Sequence, residues 1–308
     1  MNDEMDSDEN IRNIIREMHR VFLGQDEVLK NVLCALLARG HVLLEGVPGV
    51  GKTLIAITLS RLLHLSFKRI QFTNDLLPTD VTGFHTFKKG SSSLDLIQGP
   101  VFANIVLADE INRTSPKTQS ALLEAMEESQ VTIDGITYHL PEPFMVIATQ
   151  NPVEIVGTFP LPESQLDRFL LKTRVGYPPL DEETEILKKD IDHADALRLE
   201  PVMGENEIKT LIEAASRVMV HEDILSYMTR IIRATRVHPK VELGVSPRGG
   251  LALKRASQAW ACISGRNYVV PDDVKQSARC VLEHRIMVKD GSAAAAMGAI
   301  LDEVKLPL

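Results

Sequence analysis

The run Gly46-Val47-Pro48-Gly49-Val50-Gly51-Lys52-Thr53 has the spacing of a loop built to hold phosphate, G-x-x-x-x-G-K-[ST]. Glycines let backbone N–H groups converge on one point without side chains in the way, and a helix starting near Gly51 adds its positive end. Lys52 is long enough to reach β- and γ-phosphates, and the Thr53 hydroxyl is a ligand for Mg²⁺. Leu54 continues the helical pattern TLIAITLSRLL, and the apolar run HVLLE precedes the loop, so the motif stands in the strand–loop–helix context it requires. A plain glycine-rich turn is the alternative.

A phosphate-bound Mg²⁺ also needs an acid at the end of a neighbouring strand. The apolar run Asn104-Ile105-Val106-Leu107-Ala108 ends in Asp109-Glu110. Asp109 is expected to hold the metal, directly or through water, and Glu110 to orient and activate the attacking water. Burying two carboxylates is otherwise costly, and the metal offsets that cost. A further apolar run, FMVIAT (144–149), leads to Gln150-Asn151. Asn151 is placed to hold the water against the γ-phosphate, although Asn before Pro152 is also an ordinary turn signal.

These residues need a sheet to bring them together. Apolar runs at 41–45, 67–72, 104–109, 144–149 and 170–175 read as strands, several nearly continuous, as in a parallel sheet covered on both faces. Helical patterns run from Glu9 to Arg20, from Gln25 to Arg39 and from Pro116 to Ser129, giving α/β layering. Two hairpin insertions interrupt the rhythm. One spans 86–97; the other, 130–140, turns at Asp134-Gly135, a type I′ signal. The expected organisation is an acidic, disordered tail at 1–8, an α/β core at 9–180, and a smaller all-α domain at 181–308 that lacks buried strands.

The 308-residue chain is 44% hydrophobic and 25% charged, which suits a soluble globular protein with a sizeable core. Its net charge of -8 argues against bulk electrostatic binding of nucleic acid, and 5% aromatic content offers no stacking platform. No apolar run approaches the roughly 18–20 residues needed to span a bilayer. The start, MNDEMDSDEN, is the opposite of a signal peptide's basic region, so the cytoplasm is the expected location. Cys34, Cys262 and Cys280 have no metal or redox spacing and read as reduced structural thiols.

Taken together, GVPGVGKT (46–53), GPVFANIVLADEINRTSPKTQSALLEAMEE (99–128), IATQNP (147–152), LPESQLDRFL (161–170) and VSPRGGLALKRASQAWA (245–261) resemble the AAA+ ATPases and, within them, the MoxR family. VFLGQDEVLKN (21–31) and LLPTDVTGF (76–84) extend the likeness, which covers about residues 10–290. The resemblance implies a P-loop parallel sheet flanked by helices with a helical lid. It makes Lys52 and Thr53 the Walker A residues, Asp109 and Glu110 the Walker B pair with Glu110 as base, and Asn151 sensor 1. Arg168 resembles the arginine finger that reaches a neighbouring subunit's γ-phosphate, and Arg248 resembles sensor 2 of the lid. Read without the family, Arg168 is equally a core-edge residue and Arg248 an arginine at an unfavourable place, a helix start. Gly24 and Gln25 fall at the family's adenine side. The insertions resemble the family's helix-2 insert and pre-sensor hairpin, and Arg113 is either an interface or a surface residue.

The implied activity is ATP hydrolysis with Mg²⁺ in a homo-oligomeric ring, expected as a hexamer, coupled to remodelling or maturation of protein complexes with a von Willebrand factor A domain partner. Two neighbouring readings remain, a magnesium-chelatase-like subunit and a DNA-translocating motor, the latter resting on Lys88 and Lys89 alone. A small-molecule kinase is disfavoured by the lid-like C-terminal third.

Overall fold

The structure is a computed structural model that describes residues 2–87, 94–153, 157–190 and 192–306. Helices α1 (Asn2–Met18) and α2 (Asp26–Leu37) lead into β1 (Val42–Glu45), α3 (Lys52–Leu62) and β2 (Phe67–Gln71). Short α4 (Pro78–Thr82) opens the first insertion, β3 (Gly83–Phe87) and β4 (Leu94–Gln98). Next come β5 (Ile105–Asp109), α5 (Pro116–Glu128), the second insertion β6 (Gln130–Ile133) and β7 (Ile136–His139), β8 (Met145–Gln150), α6 (Glu163–Leu166) and β9 (Leu171–Arg174).

Five of these strands form one parallel sheet in the order β2-β5-β8-β1-β9. Alternation assigns each strand's residues to two cores. Val42, Leu44, Ile105, Leu107, Met145 and Ile147 face one cluster, while Leu43, Val106, Ala108, Val146 and Ala148 face the other. That double burial explains why these strands read as unbroken apolar runs. The topology sets the ends of β5, β8 and β1 side by side, where a doubly covered parallel sheet places its ligands.

The remaining chain is mostly helical: α7 (Leu180–Lys189), α8 (His193–Leu197), α9 (Glu205–Arg217), α10 (Glu222–Val237), α11 (Pro247–Ile263), α12 (Pro271–Leu282) and α13 (Ala293–Glu303). Its apolar residues, among them Leu253, Val274 and Met297, share one continuous cluster with the first face of the sheet. The lid is thus packed onto the core rather than tethered to it.

Three expectations are corrected. Helix α1 begins at Asn2, so residues 2–8 are helical instead of forming a tail. The lid is not purely helical, because β10 (Val241–Leu243) pairs antiparallel with β11 (Met287–Val288). These strands are three and two residues long, too short to give a periodic signal. The first hairpin pairs from Gly83 to Gln98, wider than 86–97, and its register sets Phe84 opposite Ile97. Lys88 and Lys89 lie outside the described residues. The second hairpin turns as expected, with φ of 49° at Asp134 and 81° at Gly135. Among the described residues no helix is long and apolar enough to cross a membrane. Among the described residues no cysteine is in a disulfide; burial pushes the thiol of Cys34 upward and that of Cys280 up to about 12, as inert core groups behave.

Candidate nucleotide site

The loop after β1 is shaped by close approach. Gly46 N donates to Gln150 O at 3.1 Å, and a Cβ on Gly46 would stand 2.4 Å from the carbonyl oxygen of Val175. Gly49 and Gly51 take φ of +85° and +86°, where glycine is at home, and the loop then enters the 11-residue helix α3. Lys52 Nζ donates to the carbonyl of Gly46 and, at 3.1 Å, to that of Val47. Burial lowers the pKa of this half-buried ammonium, and the negative charges of Asp109 and Glu110 act against that. Lys52 therefore folds over its own loop, a cation held by acceptors that a phosphate oxygen can replace. Thr53 and Leu54 occupy the same first helical turn.

Asp109 ends β5 and is only 8% exposed. Its Oδ1 accepts from Thr149 Oγ1 at 2.6 Å, and its Oδ2 accepts from Arg69 Nη2 at 2.6 Å and Nε at 3.2 Å. Glu110 leaves the strand in the left-handed region, φ 58° and ψ 50°, with its N–H donating to Thr149 Oγ1 at 2.8 Å. Such a conformation costs a non-glycine residue on the order of 1–3 kcal/mol and concentrates at functional sites. It turns the carboxylate out of the sheet, where Glu110 Oε2 accepts from Gln71 Nε2 at 3.0 Å and pairs with Arg113 Nε at 3.1 Å. Asn151 follows β8, the strand between the other two, and is 8% exposed; its Oδ1 accepts from Val153 N at 3.2 Å.

Gly24 has φ of +82°, and Gln25 forms a two-way pair with Gly176: Nε2 donates to the carbonyl at 2.9 Å and Oε1 accepts from the amide at 3.0 Å. Phe22 lies against Gly51, where a Cβ would meet its ring at 3.0 Å. The N-terminal segment, the phosphate loop and the approach to the lid therefore meet at one place.

Arg168 and Arg248 are elsewhere. Arg168 precedes β9, at the end of the sheet opposite the phosphate loop, about 15 Å away at the rise per residue of a strand such as β1. Its Nη1 donates to Leu123 O at 2.7 Å and pairs with Glu127 at 3.1 Å. Arg248 is the second residue of α11, which Ser246 caps by accepting from Gly249 N at 3.2 Å. Its Nη1 meets Glu127 at 2.9 Å, and its Nε lies 3.8 Å from Asp167. The carboxylate of Glu127 thus offsets the cost of an arginine at a helix start. With Arg39, Arg255 and Arg285, this pair lines a cavity of about 290 Å³.

The structure therefore gathers Lys52, Thr53, Asp109, Glu110 and Asn151 at one end of the sheet, with Gly24 and Gln25 beside them, and Arg168 with Arg248 at the other. Sequence reasoning missed Arg69, Gln71, Thr149 and Glu127. Arg69 and Gln71 share one face of β2, and Gln71 is in register with Asp109, so a period of two along the edge strand is the signal that finds them. Glu127 has no such signal, because its importance rests on the arginines that meet it.

Residues 41–171 match the family described as ATPase family associated with various cellular activities (AAA), and residues 233–304 match an AAA lid domain. The uncharacterized protein YeaC of Bacillus subtilis is 48% identical over 96% of this chain and 94% of its own length. Chaperone MoxR1 of Mycobacterium tuberculosis is 44% identical over 89% of this chain and 74% of its own. A solved structure of an ATPase candidate from Cytophaga hutchinsonii superposes with a TM-score of 0.90 at 35% identity, covering 99% of this chain and 97% of that one. On the strength of these relatives and of the architecture that carries the phosphate loop, the chain belongs to the MoxR family of AAA+ ATPases.

Proposed function

We propose that the chain hydrolyses ATP in a homo-oligomeric ring, a hexamer, with each nucleotide held between the phosphate-loop end of one protomer and the arginine end of the next. The observation that carries this reading is the separation of the two ends: Arg168 stands a strand's length from Lys52, too far to serve the nucleotide of its own loop. An arginine supplied across an interface raises phosphoryl-transfer rates by about 10³–10⁵-fold.

The residues fit the ligands. Loop amides and the N-terminus of α3 take the phosphates, and Lys52 exchanges two carbonyls for phosphate oxygens. Thr53 and Asp109 would hold Mg²⁺, which would neutralise the charge that develops on the phosphates. Both Arg69 bonds go to Asp109 Oδ2, while Oδ1 accepts only from Thr149 and keeps a lone pair with which it would hold the metal, directly or through water. Glu110 is the base for the attacking water, Asn151 orients that water, and Gly24 and Gln25 border the purine side.

The coupled work is chaperone-like remodelling of protein complexes, which the relative named a chaperone supports, alongside a von Willebrand factor A domain partner, which rests on the family resemblance alone. The test is mixing. Arg168→Ala subunits, active in nucleotide binding but not in turnover, should regain hydrolysis when mixed with Lys52→Ala subunits that supply the arginine. A lack of rescue removes the shared site, and stimulation of hydrolysis by DNA would instead favour a motor.

A further inference from the structure

We propose that Arg285 of the lid is a positioning residue for Arg168: it holds the segment 167–170 to the lid, so that the lid sets where the arginine at the ring interface stands. This rests on the reading above that Arg168 takes part in hydrolysis.

Arg285 ends a short 3-10 turn after α12, and its side chain is 3% exposed. Its Nε donates to Asp167 Oδ1 at 2.6 Å. Nη2 donates to the carbonyls of Asp167 at 3.0 Å and Phe169 at 2.7 Å, and Nη1 donates to that of Leu170 at 3.0 Å and to Val281 within the lid. The acceptors at 167, 169 and 170 bracket Arg168 in the sequence. The segment lies between α6 and β9, outside the sheet ladder. A guanidinium presents its donors in a rigid fork, so these charge-assisted bonds fix the backbone in orientation as well as in place.

The side chain of Arg168 leaves the segment in another direction, towards Leu123 and Glu127. Although Arg285 borders the arginine cavity, the N–H groups of its guanidinium are already given to Asp167, Phe169, Leu170 and Val281, so its influence on hydrolysis passes through the segment it holds. On the core side, Leu170 N donates to His41 O at 2.8 Å, and Gly40 packs so closely on Leu170 that a Cβ would lie 2.4 Å from the leucine Cβ. The segment is clasped between core and lid, and a lid rotation carries Arg168 with it.

Steady-state ATPase kinetics on the full chain test this with Arg285→Lys, which keeps the charge and loses the fork. The expected result is a kcat lowered about tenfold or more with KM for ATP held within about threefold, since an arginine lost from its place is felt in turnover. In an Arg168→Ala background the same change should lower kcat by less than about twofold, because the two residues act as a unit. Unchanged kcat in the single variant, or an equal loss in both backgrounds, overturns the inference. Asp167→Asn, which keeps the shape and weakens one bond, should show the same pattern at smaller size, and binding of a fluorescent ATP analogue reports whether each variant is folded. Mixing adds a separate readout. Lys52→Ala subunits should rescue Arg285→Lys, and Arg168→Ala subunits should not; rescue by the latter also overturns the inference. If Lys52→Ala fails to rescue Arg168→Ala itself, the shared-site reading falls, while the comparison of backgrounds still decides the role of Arg285.

Discussion

The two ends of the central sheet are built from different materials. At the phosphate-loop end, the binding surface is backbone: glycines with positive φ, a close approach of Gly46 to Val175, and the first turn of α3. At the arginine end it is side chain: Arg168 and Arg248 share Glu127, and Arg285 reaches across from the lid. Backbone amides are ready before the ligand arrives. Paired arginines must first exchange one anion for another. On the proposed reading, the loop end is a preformed receptor, whereas the arginine end is set by assembly and by the lid.

Substitutions at each end test that contrast. Lys52→Ala should cause the largest change, abolishing measurable heat on titration with Mg-ATP in calorimetry; retained binding would mean the amides alone suffice. Glu110→Gln should bind ATP with little change and lose about 10²–10⁴-fold in single-turnover hydrolysis, the usual worth of a positioned base. Glu127→Gln should act in the opposite sense. It loosens Arg168 and Arg248 without touching the loop, so turnover at low protein concentration should rise about threefold, comparable to the loss of one or two weak ion pairs. A fall in turnover would show that Glu127 supports the arginines rather than detaining them.

The smallest effect concerns pH and stability. His41 lies beneath the arginine cavity with Nε2 donating to Met126 O at 2.9 Å and Nδ1 accepting from Val146 N at 2.9 Å, a neutral ring with both nitrogens used. Burial lowers its pKa to about 4. The unfolded chain takes up the proton near pH 6.5 while the folded one refuses it, so stability is full above that value and declines as pH falls towards 4. Between pH 7 and 5 His41 should account for about 2 kcal/mol of lost stability, read from denaturant midpoints as the difference between the wild type and a His41→Gln variant. Burial lowers His284 in the same direction at the lid contact, which adds to the slope in the wild type.

Legibility followed the same division. The strands at 42–45, 105–109 and 145–150 were readable because both faces are buried, and the loop was readable because its chemistry lies in one short run. Asp109, Glu110 and Asn151 could be placed because each ends an apolar strand. The arginine end was named by resemblance, but its location was not legible: Glu127, Asp167, Arg248 and Arg285 are spread along much of the chain and meet only through helix packing. The short ribbon of β10 and β11 escaped because two or three residues cannot display a period.

The pairing of Gln25 with Gly176 has a consequence of its own. One primary amide imitates a peptide unit, donating and accepting at once, and so adds a false rung beyond the last residue of β9. A carboxylate at that position would forfeit the donor, and asparagine would fall a methylene short. The identity of residue 25 is thereby restricted by geometry alone, irrespective of any contact with a base, and drift at this position should be slower than its exposure would suggest.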